Sequence, residues 1–210
     1  SSIPNPDFSM EPSRLRATRL LACLGLLSCV PVHASVAVDP SLLAADYSQD
    51  FDTLGFSSSF NWVNDTTLTG WYAVTAGGNL NANVQISSGS SNASALTLYS
   101  LGNSGSTERA LSYHTISADM PTYLGLAFSN QTGGEIAGFT VGYTGEQWRE
   151  NTDNRTLTYT VEYRIGATAD ELDDAAGWTE IAGLAVDTSG GSGGAATPMT
   201  SGLVLDAIPA

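Results

Sequence analysis

Basic residues are few in this 210-residue chain, which has seven arginines, no lysine and 21 acidic residues. Its formal net charge at pH 7 is −14. Proteins bind nucleic acid largely through lysine and arginine side chains that neutralise phosphates. The composition therefore excludes a nucleic-acid-binding domain, and we expect no nucleic-acid partner.

Cysteine and histidine are also rare, with two residues of each type. Both cysteines, Cys23 and Cys29, lie in one apolar stretch near the amino terminus. Only His114 lies far from that stretch, since the other histidine is His33. The chain beyond residue 34 therefore has no cysteine for a disulfide framework and too few nitrogen and sulfur ligands for a transition-metal site.

The amino-terminal region has the pattern of a secretory signal peptide. A segment with three arginines begins at Met10 and leads into the apolar stretch 20–32, which ends close to the small residue Ala34. This stretch is too short to span a hydrocarbon core of ~30 Å as a helix. We predict a signal peptide over 10–34, an upstream remnant over 1–9 and no membrane span in the mature chain. The alternative, a buried amphipathic helix, lacks the required apolar stripe.

The rest of the chain reads as all-β. Short runs of β-branched and aromatic residues alternate with glycine, serine and asparagine clusters, as in sandwiches and barrels. We predict a two-sheet antiparallel β-sandwich, jelly-roll-like, over 45–210, after a linker at 35–44 and with its carboxyl-terminal part cut short. The predicted strands are 46–52, 71–75, 83–87, 95–101, 109–116, 122–129, 136–148, 156–165 and 179–186.

The segment 156–165 shows the clearest alternation of apolar and polar residues. Its apolar side is formed by Leu157, Tyr159, Val161, Tyr163 and Ile165. We predict that it forms a hairpin with 136–148, in which Phe139 faces Ile165, Val141 faces Tyr163 and Tyr143 faces Val161. Because a period of two marks a half-buried strand, this hairpin is expected at the centre of the core.

Five stretches together resemble a group of exported bacterial β-sandwich proteins that often end in a PEP-CTERM sorting signal. They are Tyr47–Gly55, Leu68–Tyr72, Leu98–Gly102, Gly105–Leu111 and Val141–Arg149. The resemblance covers roughly residues 45 to 185, and the module also occurs in larger extracellular proteins, some with a nuclease or phosphatase domain. It implies an exported module without agreed catalytic residues. The acidic strand and the sorting tail usual in such proteins are missing here.

Three aspartates form a candidate metal site. On a strand over 46–52, Asp46, Asp50 and Asp52 would share one face, where their carboxylates repel each other unless solvated or bridged by a cation. Oxygen ligands of this kind suit Ca²⁺. We predict a structural Ca²⁺ site at these residues, with a solvated acidic face as the alternative.

Trp148, Glu146 and Arg149 form the candidate ligand-binding site. Trp148 and Glu146 fall on the threonine-rich side of the predicted strand, and Arg149 follows directly. An exposed indole beside a carboxylate and a guanidinium suits a sugar ring and its hydroxyl groups. Alternatively, a bulge turns Trp148 inward, or Arg149 covers it by a cation–π contact.

No set of residues indicates catalysis. Glu146 and Glu150 are the nearest approach to a glycosidase pair, and His114 has no Ser-His-Asp order around it. We therefore predict a non-enzymatic module, secreted to the extracellular space or the cell surface, that binds a polysaccharide or another surface component or helps to build the cell exterior. The alternative is an accessory amino-terminal part of a secreted hydrolase, either a glycosidase or a nuclease or phosphatase.

Overall fold

The structure, a computed structural model, describes residues 35–75, 78–79, 83–89, 97–114, 122–146, 148, 157–166, 172, 176–188 and 196–203. The predicted signal peptide lies outside these ranges. Within them the chain is all-β, with fifteen strands and a single helix of four residues. No helix in the described ranges is both long and apolar enough to cross a membrane.

The strands before the chain midpoint are β1 (Val36–Val38), β2 (Phe60–Asn61), β3 (Trp71–Thr75), β4 (Gly78–Asn79), β5 (Asn83–Ser87) and β6 (Thr97–Leu101). The strands that follow are β7 (Ala110–His114), β8 (Thr122–Leu126), β9 (Phe128–Asn130), β10 (Phe139–Glu146), β11 (Leu157–Tyr159), β12 (Glu162–Tyr163), β13 (Thr179–Glu180), β14 (Val186–Thr188) and β15 (Ala196–Leu203). The predicted strands 71–75 and 83–87 are confirmed at both ends.

The stretch predicted as a linker, 35–44, contains β1 and the helix α1 (Pro40–Leu43). Asp39 caps α1, and its Oδ1 accepts hydrogen bonds from the backbone N–H groups of Ser41 and Leu42, both at 2.9 Å. Proline is well placed in the first turn, where no backbone donor is needed. β1 pairs in parallel with β9, so this stretch is joined to the rest of the fold.

Two larger sheets contain most of the buried residues. The first has the order β2-β5-β6-β7, and the second has the order β4-β3-β8. All pairs within the second sheet are antiparallel, but β5 and β6 pair in parallel, as do β1 and β9. Among the described residues, the predicted antiparallel pairing is therefore confirmed for the other seven strand pairs and wrong for these two. Alternation of apolar and polar residues specifies which face is buried, and it does not specify the direction of the neighbouring strand.

One core cluster draws residues from both of these sheets. Val84, Leu98 and Tyr113 come from the first sheet, and Ala73 and Leu124 come from the second. The loop residues in the cluster are Leu54, Trp62 and Leu68. Burying one such large apolar side chain stabilises the fold by roughly 1.5–3 kcal/mol.

The second sheet is covered on its other face as well. Tyr72 and Val74 alternate with Ala73 along β3 and belong to a separate cluster with Tyr123 and Leu172. Burial on both faces explains why β3 reads as a continuous apolar run and lacks alternation.

The predicted hairpin between 136–148 and 156–165 is wrong. β10 pairs antiparallel with β15 along eight residues, from Phe139 opposite Leu203 to Glu146 opposite Ala196. The segment 157–163 is divided into β11, which pairs with β14, and β12, which pairs with β13. An alternating strand matches any partner with an apolar face, so the pattern alone did not determine the partner.

The apolar residues of 157–165 do not share one buried face. Val161 is buried with Ile181 and Leu184, whereas Tyr159 packs against the main core and Ile165 is 37% exposed. Glu162, a polar residue between the apolar positions Val161 and Tyr163, is only 7% exposed. The strand is interrupted between β11 and β12, and this break ends the regular alternation. The side chain of Leu157 lies outside the described residues.

The predicted strand over 46–52 is also wrong, because this stretch is irregular. The Gln49 Oε1 atom accepts a hydrogen bond from the Phe51 N–H at 2.8 Å, and the Asp50 Oδ1 atom accepts one from the Asp52 N–H at 3.1 Å. Phe51 has a positive φ of 64°, which no strand allows. Side chains that bond their own backbone in this way compete with a sheet ladder.

Candidate ligand-binding site

Trp148 and Glu146 are brought together as predicted. Glu146 is the last residue of β10, and the Trp148 Nε1 atom donates a hydrogen bond to Glu146 Oε2 at 2.7 Å. Both side chains are partly exposed. The bond orients the indole ring, and Trp148 as a whole residue is neither fully buried nor fully exposed.

Gly89 supports Trp148 from the main-chain side. Gly89 follows β5 with a φ of +85°, and a Cβ atom at this position would overlap with the Trp148 carbonyl. Only glycine combines this backbone conformation with such a close approach. The sequence shows a turn at Ser88-Gly89, but it carries no signal that this turn meets Trp148.

The pair has the chemistry of a polar stacking site. An indole face binds the apolar face of a sugar ring, and a carboxylate accepts hydrogen bonds from sugar hydroxyl groups. Glu146 uses one oxygen for the indole, and its second oxygen has further acceptor capacity. Arg149, the third predicted residue, lies outside the described residues.

The three predicted Ca²⁺ ligands are exposed, but they do not share a strand face. The Asp50 Oδ1 atom accepts from the Asp52 N–H, and the Asp52 Oδ1 atom accepts from the Arg109 N–H at 2.9 Å. In the part of the chain that the structure describes, no three histidine, cysteine or acidic residues are grouped as metal ligands. The geometric basis for a site at Asp46, Asp50 and Asp52 is thus removed, and Ca²⁺ binding itself stays a prediction.

Arg109 forms a buried polar network that the sequence reasoning missed. Its side chain is 3% exposed, and its Nε atom donates to Ser100 Oγ at 2.8 Å while Nη2 donates to the Ser100 carbonyl. The Ser100 hydroxyl in turn donates to the Gly55 carbonyl at 3.1 Å. Burial lowers the pKa of Arg109, and nearby Glu108 opposes that shift. The network ties the loop containing Gly55 to β6.

Four aromatic residues anchor the irregular segment 46–52. The Trp71 Nε1 atom donates to the Tyr47 hydroxyl at 3.0 Å, and Phe51 contacts the Trp71 ring edge-on at 4.9 Å between centroids. Tyr47 makes a similar edge-on contact with Phe128 at 5.4 Å. These contacts hold an irregular segment in place without a sheet ladder.

Comparison of the chain with known proteins gave no match to a family model, a curated protein or a solved structure. The resemblance to exported PEP-CTERM-type sandwich proteins therefore stays a prediction.

Proposed function

We propose that the protein is a secreted, non-catalytic β-sandwich module that binds polysaccharide at the cell exterior. The two larger sheets form the two layers of the sandwich, and the Trp148 indole is the binding surface. The fold class supports this architecture, since one core cluster receives residues from both sheets.

The oriented indole of Trp148 is the observation that carries the proposal. Its ring is fixed by the 2.7 Å bond to Glu146, its main chain packs on Gly89, and its side chain is partly exposed. A ring that is held in advance loses little conformational entropy on binding, which favours affinity. Stacking of this kind requires no acid–base chemistry and therefore suits a binding module.

The proposal is tested by retention of the full chain on insoluble cellulose, chitin, xylan and starch. Trp148→Ala should weaken retention on the bound polymer by about tenfold, which corresponds to ~1.4 kcal/mol of lost stacking. Glu146→Gln keeps an acceptor oxygen and should lose less. Phe56→Ala is the matched control, because Phe56 is an aromatic residue with 43% exposure outside the proposed site.

The possible outcomes distinguish specific binding at Trp148 from nonspecific adsorption to the polymer. If wild type is retained by none of the polymers, or if Trp148→Ala is retained equally, the proposal is wrong. Cleavage of the retained polymer by the wild-type protein would also contradict it. If Trp148→Ala does not fold, Trp148→Phe keeps a ring for packing and removes only the larger stacking face and the Nε1 donor.

Structural Ca²⁺ binding by this chain, without an assigned ligand set, is a separate proposal with its own measurement. A structural ion raises the melting temperature in proportion to its affinity and concentration. The proposed ion predicts a lower melting temperature, by several degrees, after EDTA treatment and recovery on addition of CaCl₂. A melting temperature unchanged by EDTA would contradict the proposal of a structural Ca²⁺ ion.

A further inference from the structure

An open groove of about 600 Å³ lies between β1 and the loop that precedes β3. This volume falls within the roughly 300–1,000 Å³ range of small-molecule sites. Six of its lining residues carry hydroxyl or amide groups, namely Ser35, Tyr47, Gln49, Thr66, Thr67 and Thr69. The other lining residues are aliphatic, so among the residues that the structure describes no charged side chain lines the groove.

The wall formed by the loop is held by local hydrogen bonds. The Val63 carbonyl accepts from the backbone N–H groups of Thr66 at 3.1 Å and Thr67 at 2.9 Å. The Thr67 Oγ1 atom accepts from the Val63 N–H at 2.8 Å, and the Asp65 Oδ1 atom accepts from the Gly70 N–H at 2.8 Å. The loop is therefore fixed before any ligand arrives.

The opposite wall, β1, is joined directly to this loop. Gly70 has a φ of +77°, and a Cβ atom there would lie 2.9 Å from a side-chain carbon of Val36. The Ala127 backbone bridges the two walls, since its N–H donates to the Gly70 carbonyl and its carbonyl accepts from the Val36 N–H, both at 2.8 Å. The width of the groove is thus set by backbone contacts.

The Gln49 amide and the Tyr47 hydroxyl each make one hydrogen bond within the fold and keep donor capacity for a ligand. The Gln49 Oε1 atom accepts from the Phe51 N–H, and within the described chain its Nε2 donors have no partner. The Tyr47 hydroxyl accepts from Trp71 Nε1, which leaves its own hydrogen to donate. Thr66 and Thr69 add exposed hydroxyl groups, each able to donate and accept.

We infer that this groove is a second ligand site, and that it binds an uncharged saccharide. Sugar hydroxyl groups donate and accept hydrogen bonds, which matches a wall of threonine, serine, glutamine and tyrosine groups. The described lining of the groove has no cationic side chain, and this together with the net charge of −14 disfavours uronic acids and other anions. The site is distinct from the indole surface of Trp148, which does not line the groove.

The inference is tested on an array of neutral gluco-, manno-, galacto- and xylo-oligosaccharides with oligogalacturonate as the acidic counterpart, followed by calorimetric titration of the best ligand. Thr66→Val combined with Thr69→Val replaces two exposed hydroxyl groups by methyl groups of similar size. Gln49→Glu keeps the acceptor for the Phe51 N–H and removes both donors. Thr53→Val combined with Thr107→Val is the control, because both residues are exposed and neither lines the groove.

We expect the Kd for a neutral oligosaccharide to rise about tenfold in the groove variants, from the loss of two hydrogen bonds. The control variant, Thr53→Val with Thr107→Val, should stay within about twofold of wild type. The inference is overturned if no neutral oligosaccharide binds, if the acidic one binds as tightly, or if the groove variants bind like wild type. Binding lost only in Trp148→Ala would overturn this inference and leave the proposed function standing.

Discussion

A single buried arginine connects the irregular segment after α1 to the four-stranded sheet. Burying a guanidinium costs several kcal/mol unless its donors are satisfied. Ser100 supplies two acceptors to Arg109, and the Asp52 carboxylate accepts from the Arg109 backbone N–H. The residues involved all lie in the stretches that carry the resemblance to exported sandwich proteins. The contacts give these stretches, which are far apart in the sequence, a shared structural role.

Gly102 gives the sharpest stability prediction for this network. A Cβ atom at Gly102 would overlap with the Glu108 carbonyl and Arg109 Nη1, so Gly102→Ala must displace the buried guanidinium. We expect a loss of about 2–4 kcal/mol in the free energy of unfolding, measured by urea denaturation. Gly134→Ala is the matched control, because nothing lies within 4 Å of its added Cβ, and it should change stability by less than about 0.5 kcal/mol. Equal effects of the two substitutions would contradict the role given to Arg109.

The burial of Tyr143 leads us to expect a specific loss of folding stability at alkaline pH. Its hydroxyl donates to the Leu184 carbonyl, and burial raises the pKa of Tyr143 from 10.0 to about 12. The unfolded chain therefore releases this proton first as the pH rises. The raised pKa of Tyr143 therefore contributes its full stabilisation below pH 10. This stabilisation is lost as the pH rises from 10 to about 12.

Urea denaturation at a series of pH values from 9 to 12 compares wild type with Tyr143→Phe. The free energy of unfolding should fall less steeply above pH 10 in the variant, although its stability at pH 9 is lower by ~1 kcal/mol from the lost hydrogen bond. Parallel curves for the two proteins would show that Tyr143 does not titrate as described.

At the scale of strands, local sequence patterns predicted where several strands lie but not which strands pair with each other. β3 and β5 have the predicted bounds, because apolar runs and their glycine or serine boundaries are local signals. The pairing of β10 with β15 joins residues fifty or more positions apart, and no local pattern records it. For the same reason the sequence placed Trp148 beside Glu146, two positions away, but did not bring Gly89 to them.

Engineered disulfides test the pairing of β10 with β15. In a background with Cys23→Ser and Cys29→Ser, Thr140→Cys combined with Gly202→Cys joins residues that are opposite in the register. Opposite residues of antiparallel strands have Cα atoms roughly 4.5–5.5 Å apart, which suits a disulfide. We expect a linked peptide in non-reducing mass spectrometry. Thr140→Cys combined with Arg164→Cys, the pair expected from a hairpin of 136–148 with 156–165, should stay reduced, and the reverse result would contradict the observed topology.

The whole chain has a large excess of negative charge, which opposes compactness. The net charge is −14, and the sequence pI is about 4.1. Salt shortens the range of repulsion from a Debye length of ~30 Å at 0.01 M to well under 10 Å at 0.5 M. Added salt should therefore stabilise the folded state near neutral pH.

Melting curves in 10 mM and 500 mM NaCl test this expectation. The melting temperature at pH 7 should rise by a few degrees with salt. At pH 4.1, where the net charge is near zero, the same change of salt should have little effect. A melting temperature that falls with salt at pH 7 would show that specific ion pairs outweigh the general repulsion.

The central claim, that the Trp148 indole binds saccharide, is tested most directly by its own N–H resonance in an NMR spectrum. The chain has four tryptophans, and Trp148→Phe assigns the signal of this one. Trp62 is the internal reference, because it is 2% exposed and its Nε1 atom donates to Asn64 at 2.7 Å. On titration with soluble oligomers of the retained polysaccharide, we expect the Trp148 signal to shift and the Trp62 signal to stay in place. A Trp148 signal that does not move while the oligomer binds would contradict the claim.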